Sequence, residues 1–572
     1  MSLDNKIKEF HKVSDRHVLM LEANLSHVDK CELFGISEKL RKMGNELLSI
    51  MYKNYKQLIR TKRYRNFKKL YGITKEEIVK LDSKINKTDS DKAKLKELRA
   101  KLKEISIFLN KIQKEYNVTW DYCRNSMITI NNKYKINSIF ALTKAEDIWH
   151  SIEKLLYGDG KRVHFSKRGE LSCIRAKQIE RGIILKEDNC KLLFKIGNIS
   201  FKPILKDTFE KDEVYAIIDY LRNKELIELN ALKEYEKGNI ISTYRPCFIS
   251  LTCKKIRGKL RVYIHITIEG KVKPKKNKKG EIKHKLGTGI IGCDIGPSTI
   301  AYVSNTKIGL KNLAERGKSI AESERKEKLI LRKLDRSRRS MNPQNYNNDG
   351  TIKKNTKLFK KKWIKSKRYL KLERKYKELC RINAVNRHLA INEEVNLIRS
   401  LGNIFVTEPK NAKKLQKKTK ETKRQENISI VTNKDGTTKE INKYKQKKRF
   451  GKSIKNRCPG YFQEKIKQKF INTNGSYIEV PKDYRASQYD HTSDSYIKKK
   501  LSDRMFKLLD GTIVQRDLYS AFLMYCIDLS NKTINKKNCD KEFSSFITKQ
   551  NDLINYIKEN NIKILNSGIK TI

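Results

Sequence analysis

Residues 290–304, IIGCDIGPSTIAYVS, can fold locally in few ways. The apolar run from Gly289 to Asp294, bounded by turn residues, reads as a buried strand. Asp294 ends that strand, Gly296-Pro297-Ser298 turns the chain, and Thr299 to Ser304 returns as a second strand. A carboxylate placed in this way is fixed on a rigid β-element and faces an open crevice. It suits a hard divalent ion, since Mg²⁺ takes oxygen ligands and usually needs only one or two carboxylates besides substrate phosphate. One aspartate does not make a site, so further acids are needed.

Two segments supply them. Asn403 to Thr407 (NIFVT) is a short apolar strand running straight into Glu408, 114 residues after Asp294 (408 − 294). Another 109 residues on (517 − 408), Asp517 precedes the apolar helical stretch Ala521 to Ile527. A carboxylate in the first turn of a helix is favoured by the macrodipole; the plain alternative is that Asp517 is a helix N-cap. Acids on strand, strand and helix start are what two-metal phosphodiester hydrolysis requires, with ions about 4 Å apart that activate water and stabilise the leaving oxygen.

A chain of 572 residues is longer than one hydrophobic core sustains, which predicts at least two bodies. Its 129 Lys and Arg against 65 Asp and Glu give a net charge of +64, a self-repulsion that opposes compaction unless a polyanion neutralises it. Nucleic acid bound over a large area is the partner this implies. No apolar run reaches the roughly 18 residues of a membrane span, and the N-terminus lacks a signal-peptide core, so a cytoplasmic location without a membrane partner is expected. The eleven cysteines are singletons with no CxxC pair, which predicts neither a disulfide framework nor a zinc ribbon.

From 31 to 157 the pattern is helical. Leu95, Leu98, Leu102, Ile105, Leu109, Ile112 and Tyr116 form an a/d seam, and Leu40, Met43, Leu47, Met51, Asn54 and Leu58 repeat its spacing. The two runs are expected to pair as a long helical hairpin, with a coiled-coil dimer arm as the alternative. After Lys161 the period becomes strand-like. Leu260, Val262, Ile264, Ile266 and Ile268 alternate with Arg261, Tyr263, His265 and Thr267 behind a turn at Arg257-Gly258, predicting a β-hairpin inside a small barrel. His265 lies on the polar face of that strand and reads as a solvated or RNA-contacting side chain rather than a metal ligand. Lys271 to Lys285 reads as a linker. Basic helical sequence follows from about Ala321 to Ser400, and the Lys-rich segment Lys410 to Lys455 reads as a surface insertion, either ordered on nucleic acid or merely solvated.

DIGPSTIA at 294–301 resembles the first RuvC motif of TnpB, the transposon-encoded nuclease family related to type V CRISPR effectors. VTEP at 406–409 sits where that family has its catalytic Glu, and RDLYSAF at 516–522 resembles its last motif. KLDRSRRS at 333–340 and the stretch Tyr369 to Leu379 look like the family's Arg/Lys-rich region, and KRVHFSKRGE at 161–170 resembles the basic start of its barrel. The resemblance implies an α+β multidomain protein. Its parts would be an N-terminal piece of a wedge at 1–30, a helical recognition domain at 31–157 and a β-barrel wedge at 158–285. An RNase H-like (RuvC) nuclease domain would follow at 286–483 with basic helical insertions, then a target-recognition insert at 484–513, and the remainder of the nuclease domain at 514–572.

The same resemblance implies an RNA-guided DNA endonuclease, a metal-dependent hydrolase whose partners are a guide RNA and target double-stranded DNA in a prokaryotic, nucleoid-associated setting. Asp294, Glu408 and Asp517 would be its catalytic and metal-binding residues, using Mg²⁺ or Mn²⁺. Lys161, Arg162, Lys167, Arg168, Lys333, Arg336, Arg338 and Arg339 would contact nucleic acid. Independently of the resemblance, Trp120 and Trp363 are candidate stacking faces, with a place in the core as the plain alternative for each. Two features depart from the family. TnpB usually carries a four-Cys zinc ribbon before the last Asp, yet Tyr484 to Ile513 contains no cysteine, and the usual Asn two residues after that Asp is Tyr519 here. No zinc is therefore expected, since Asp490 and His491 alone give no closed site. The aromatic and aliphatic residues of the insert are expected to pack on the nuclease sheet instead, and Gln488 to Ser495 to lie over the catalytic mouth.

Other readings make different demands. An actin/hexokinase-like ATPase would need a second Asp-bearing Gly-rich turn, which the chain lacks. An RNase H-like transposase or resolvase without a guide would carry the same carboxylates, and a binding module with a dead site would not need all three. An HNH nuclease would need a His-Asn-His cluster, whereas His388 sits in helical sequence.

Overall fold

A computed structural model describes residues 3–82, 88–158, 160, 162–315, 320–355, 362–412, 415, 424–432, 437–444, 451–498 and 502–571. The protein is a mixed α/β chain that divides into two units, Met1–Lys273 and Pro274–Ile572. The division falls inside the Lys-rich segment 271–285.

The first unit comprises α1 (Leu3–Val13), β1 (Arg16–Asn24), α2 (His27–Leu58), α3 (Lys62–Asp82), α4 (Asp89–Glu115), α5 (Trp120–Tyr134), α6 (Ser138–Leu156), β2 (Ile174–Ala176), β3 (Ile184–Asp188), β4 (Lys191–Ile196), β5 (Ile199–Ile204), α7 (Thr208–Arg222), α8 (Lys224–Glu236), β6 (Pro246–Ile256) and β7 (Lys259–Glu269). The β6–β7 hairpin turns at Arg257 (φ 50) and Gly258 (φ 82), the paired positive φ values that match the twist of the flanking strands. The seven strands run in the order β2-β6-β7-β1-β5-β4-β3. No ladder joins β2 to β3 among the described residues, and residues of all seven strands, from Ile174 of β2 to Leu185 of β3, share one hydrophobic core. The N-terminal β1 lies at the centre of the strand order, paired with β7 and β5.

The helical hairpin needs correction. The partner of α4 is α3: Phe67 stacks on Phe108 at 5.3 Å, and Arg63–Glu115 and Arg99–Asp82 pairs at 3.5 and 3.2 Å tie the two helices antiparallel. Met43, Leu47 and Met51 of α2 are buried chiefly with Met127, Ile130, Ala145, Ile148 and Ile152 of α5 and α6, joined by Ile105, Leu109 and Ile112 from the end of α4. Two later helices with apolar stripes of their own compete for α2, and together they bury more of it than one seam would.

The second unit contains β8 (Ile290–Ile295), β9 (Thr299–Ser304), β10 (Ile308–Asn312), α9 (Ile320–Met341), α10 (Lys367–Arg399), β11 (Ile404–Thr407), an antiparallel ribbon of β12 (Arg424–Thr432) and β13 (Thr438–Tyr444), and β14 (Ser476–Glu479). The central sheet has the order β10-β9-β8-β11-β14. Its first three strands are antiparallel, and β8, β11 and β14 are parallel. One face packs Ile291, Cys293, Ile295 and Phe405 against α10 and the Pro459–Asn472 helix. The other packs Ala301, Val303, Leu310 and Val406 against the Arg516–Tyr525 and Lys536–Glu559 helices. The ribbon lies in the segment read as a Lys-rich insertion, whose composition alone gave no sign of strands.

Candidate active site and nucleic-acid surfaces

Strand alternation decides which way the acids face. Ile291, Cys293 and Ile295 enter the core beside α10, so Gly292 and Asp294 belong to the opposite face. There the Arg516–Tyr525 helix lies directly on the strand: a Cβ added at Gly292 would sit 2.0 Å from the Ala521 carbonyl oxygen. In β11, Phe405 joins the α10 side and Val406 the other. Glu408, two residues past Val406, continues on the Val406 side. Because β8 and β11 are parallel with Thr407 opposite Cys293, Asp294 and Glu408 stand side by side at the carboxyl ends of neighbouring strands, where open α/β sheets present ligand sites. Asp517 is the second residue of its helix. The N-cap is Gln515, whose side chain accepts from the Leu518 N–H at 2.7 Å, so the N-cap reading of Asp517 is set aside.

Lys410 occupies the middle of this arrangement. Its ammonium donates to Asp294 Oδ1 and lies within electrostatic reach of Glu408 and Asp517. Burial works to lower the lysine pKa, and the three carboxylates outweigh it, leaving the ammonium held above its usual value. Burial first, then Asp294, push the Glu408 carboxyl above the usual carboxylate range against the opposing pull of Lys410. Burial and Asp294 likewise raise Asp517, opposed by Arg516 and Arg504, whose guanidinium groups lie 3.2 and 3.5 Å away. Three acids from distant parts of the chain are thus coupled through Asp294 and balanced by one lysine and two arginines.

The donor set suits a hard divalent ion, being carboxylate oxygens without thiolate or imidazole. Among the described residues, no three His, Cys, Asp or Glu side chains are gathered closely enough to hold an ion. A lysine ammonium supplies the positive charge that the carboxylates need, so the chemistry of the residues fits a cation while the first coordination shell is not drawn together.

The remaining candidates fall in two places. Arg162, Lys167 and Arg168 are exposed, and Lys161 lies outside the described residues. On α9, Lys333, Arg336 and Arg339 are exposed, and Arg338 is half-buried. Arg338 lies over the Trp363 ring at 5.4 Å and Arg339 over Tyr346 at 5.6 Å, forming an aromatic and cationic face. Trp363 itself is 39% exposed. Trp120 instead packs at the edge of the helical core as the first residue of α5. His265 bonds to Thr252 at 2.9 Å within the sheet, and His388 stacks on Tyr461 at 4.3 Å.

The cysteine-free insert is held by aromatic packing. Tyr484, Tyr489 and Leu508 are buried in the core beneath the Arg516–Tyr525 helix, and the Tyr484 hydroxyl donates to the Leu523 carbonyl at 2.6 Å. His491 is buried with Nδ1 2.7 Å from the Tyr519 hydroxyl, and Asp490 accepts from the backbone of Thr492 and Leu509. Both side chains are thus engaged, and Tyr519 ties the insert to the helix carrying Asp517. Gln488 to Ser495 is anchored there by buried Tyr489, Asp490 and His491. Elemental analysis of the purified protein should find no stoichiometric zinc, and a zinc-selective chelator should leave its melting temperature within about 1 °C. One zinc per chain whose removal melts the insert would refute this description.

Reading the sequence did not single out Lys410, Gly292, Arg504 or Arg516. Two of them carried a signal. Lys410 has the same strand parity as Glu408, and a glycine inside an apolar strand marks close backbone approach. Compared with known proteins, the chain matches no family and no curated protein.

Proposed function

We propose that this chain is a metal-dependent, RNA-guided DNA endonuclease of the TnpB kind, cutting at Asp294, Glu408 and Asp517. The observation that carries the reading is the convergence of three acids, separated by more than a hundred residues each, on one face of one sheet around a single ammonium. The sheet supports it as well: three antiparallel strands followed by two parallel ones, β10-β9-β8-β11-β14, is the order an RNase H-like nuclease core calls for. The surplus of 64 positive charges suits a long polyanionic partner.

In this reading Asp294, Glu408 and Asp517 would hold Mg²⁺ or Mn²⁺, and the ion would supply water activation and charge stabilisation at the leaving oxygen. The protein's own groups do the positioning. Adjacent parallel strands fix Asp294 and Glu408, and the first turn of a helix fixes Asp517. Lys410 offsets the negative charge of the cluster, and Arg504 and Arg516 oppose the upward push of burial on Asp517. Replacing Lys410 by Met should leave three buried carboxylates short of a cation and cost about 3 kcal/mol in metal-free protein. Added MgCl₂ should then raise the variant's melting temperature more than the wild type's. If MgCl₂ moved neither melting curve, the assignment of a metal to this cluster would fail.

Guiding is tested separately, by sequencing the nucleic acid that co-purifies with the protein. A uniform RNA scaffold with one variable end, directing Mg²⁺-dependent cleavage of matching double-stranded DNA, is the expected result. Random RNA, or DNA alone, would move the assignment to an unguided RNase H-like transposase or resolvase.

A further inference from the structure

The first unit contains a cavity of about 320 Å³ between α2, α6 and the segment that follows α6. Its floor is apolar, built from Leu48, Ile148 and Leu155, while Lys144, Lys154 and Arg162 bring three cationic groups to its wall and rim. Asp147 also lines it, but its carboxylate is paired with Arg175 at 2.7 Å, which leaves the cationic groups in excess.

The surroundings are arranged to keep this space. Lys144 reaches the cavity by crossing α2 at Gly44, where an added Cβ would lie 2.4 Å from the lysine Cε. Among the described residues its ammonium has no hydrogen bond or ion pair, and burial lowers its pKa. The far wall is pinned: Asn45 Nδ2 donates to the Ser166 carbonyl at 2.9 Å, the Ser166 N–H donates to Asn45 Oδ1 at 2.9 Å, and Arg41 adds a bond to the same carbonyl at 3.1 Å. A half-buried lysine at a cavity with an apolar floor, whose nearby carboxylate Asp147 is already bound to Arg175, is a costly arrangement unless a further anion completes it.

We infer that this cavity takes a nucleoside monophosphate unit, the base and sugar on the Leu48, Ile148 and Leu155 floor and the phosphate on Lys144, Lys154 and Arg162. Its volume is at the lower limit of small-molecule sites, roughly 300 Å³ and upward, which fits one nucleotide rather than two. The source is either a free nucleotide or one nucleotide of a bound RNA strand. The inference rests on the proposed nucleic-acid partner and is independent of cleavage, because the carboxylates belong to the other unit.

The test uses full-length protein stripped of nucleic acid and two probes: adenosine 5′-monophosphate by calorimetry, and a fluorescent single-stranded 12-mer RNA by anisotropy across a salt series. Lys144→Met and Gly44→Ala are compared with Lys101→Met, an exposed lysine on α4. Lys144→Met should weaken the RNA about tenfold and lower its salt slope by about one, as the loss of one phosphate contact does, with Lys101→Met within about twofold of wild type. Gly44→Ala should act in the same direction by driving Lys144 from the cavity, and Lys144→Met stands alone if that variant fails to fold. Binding of the mononucleotide that Lys144→Met abolishes would identify a free nucleotide as the source; an effect confined to the 12-mer would identify a strand. Wild-type RNA binding left unchanged by Lys144→Met would overturn the cavity while leaving the nuclease reading intact. Wild-type and Glu408→Gln proteins that bind both probes equally but do not cut would indicate that the nuclease reading has failed and the cavity has not.

Discussion

Glu408→Gln should lower Mg²⁺-dependent DNA cleavage by about a thousandfold, equivalent to about 4 kcal/mol of transition-state stabilisation, while RNA binding stays near wild type. Asp294→Ala and Asp517→Ala should do the same. A misfolded variant would also be inactive, and the titration behaviour of the site separates the two causes. Glu408 and Asp517 have folded-state pKa values raised by burial and by Asp294. The folded state therefore holds protons that the unfolded state has already lost, and stability falls as pH rises from the unfolded carboxylate value through the folded one. Replacing Glu408 by the neutral amide removes that penalty. Metal-free Glu408→Gln protein should accordingly melt higher than wild type at neutral pH and show a shallower loss of stability as pH rises. A variant that cut at the wild-type rate would show that Glu408 has been misassigned; one that was inactive but melted well below wild type would leave the role of the carboxylate unsupported.

Gly292→Ala carries the second large effect. The added methyl meets the backbone of the Arg516–Tyr525 helix, 2.0 Å from the Ala521 oxygen and 2.3 Å from the Tyr525 nitrogen, and neither the central strand nor the helix can yield locally. Overpacking against backbone should cost about 3 kcal/mol or more. Whatever protein remains folded should cut poorly, because the helix that moves is the one carrying Asp517. Gly35→Ala is the contrasting control: it lies in α2 with nothing within 4 Å of the new Cβ, and removing a helix-interior glycine should stabilise by about 1 kcal/mol. Thermal or urea unfolding measures both. Equal stabilities for Gly292→Ala and wild type would mean that the strand and helix are not in this contact.

The shared face of Asp294 and Glu408 was legible because a strand's alternation is local. IIGCD and NIFVTE each state, within six residues, which side chains share a face with the acid. The same property made Gly292 and Lys410 readable in principle, one as an unexplained gap in an apolar strand and the other as a cation two residues beyond Glu408. What the sequence withheld was pairing. An a/d seam shows that a helix buries a stripe without naming its partner, and α4 took α3 while α2 went mostly to α5 and α6. In the Lys-rich insertion, the alternating Ile428 and Ile430 were outweighed by the surrounding charge, and β12 and β13 were missed.

The wide spacing of β8, β11 and the Arg516–Tyr525 helix along the chain also has a bearing on biosynthesis. By the time the ribosome has delivered the Pro459–Asn472 helix, the sheet can already shelter one face, but Ala301, Val303, Leu310 and Val406 on the other still await residues 480–514 and the last two helices. Contacts of such long sequence separation form slowly, and the exposed apolar face of a half-made chain invites association with its neighbours. The same delay is protective, because Asp517 reaches the sheet only with the helix that closes it. A nascent chain halted before that point would carry two of the three carboxylates and an unfilled groove over Gly292, and so would be prone to aggregate and, under the proposed function, unable to cut.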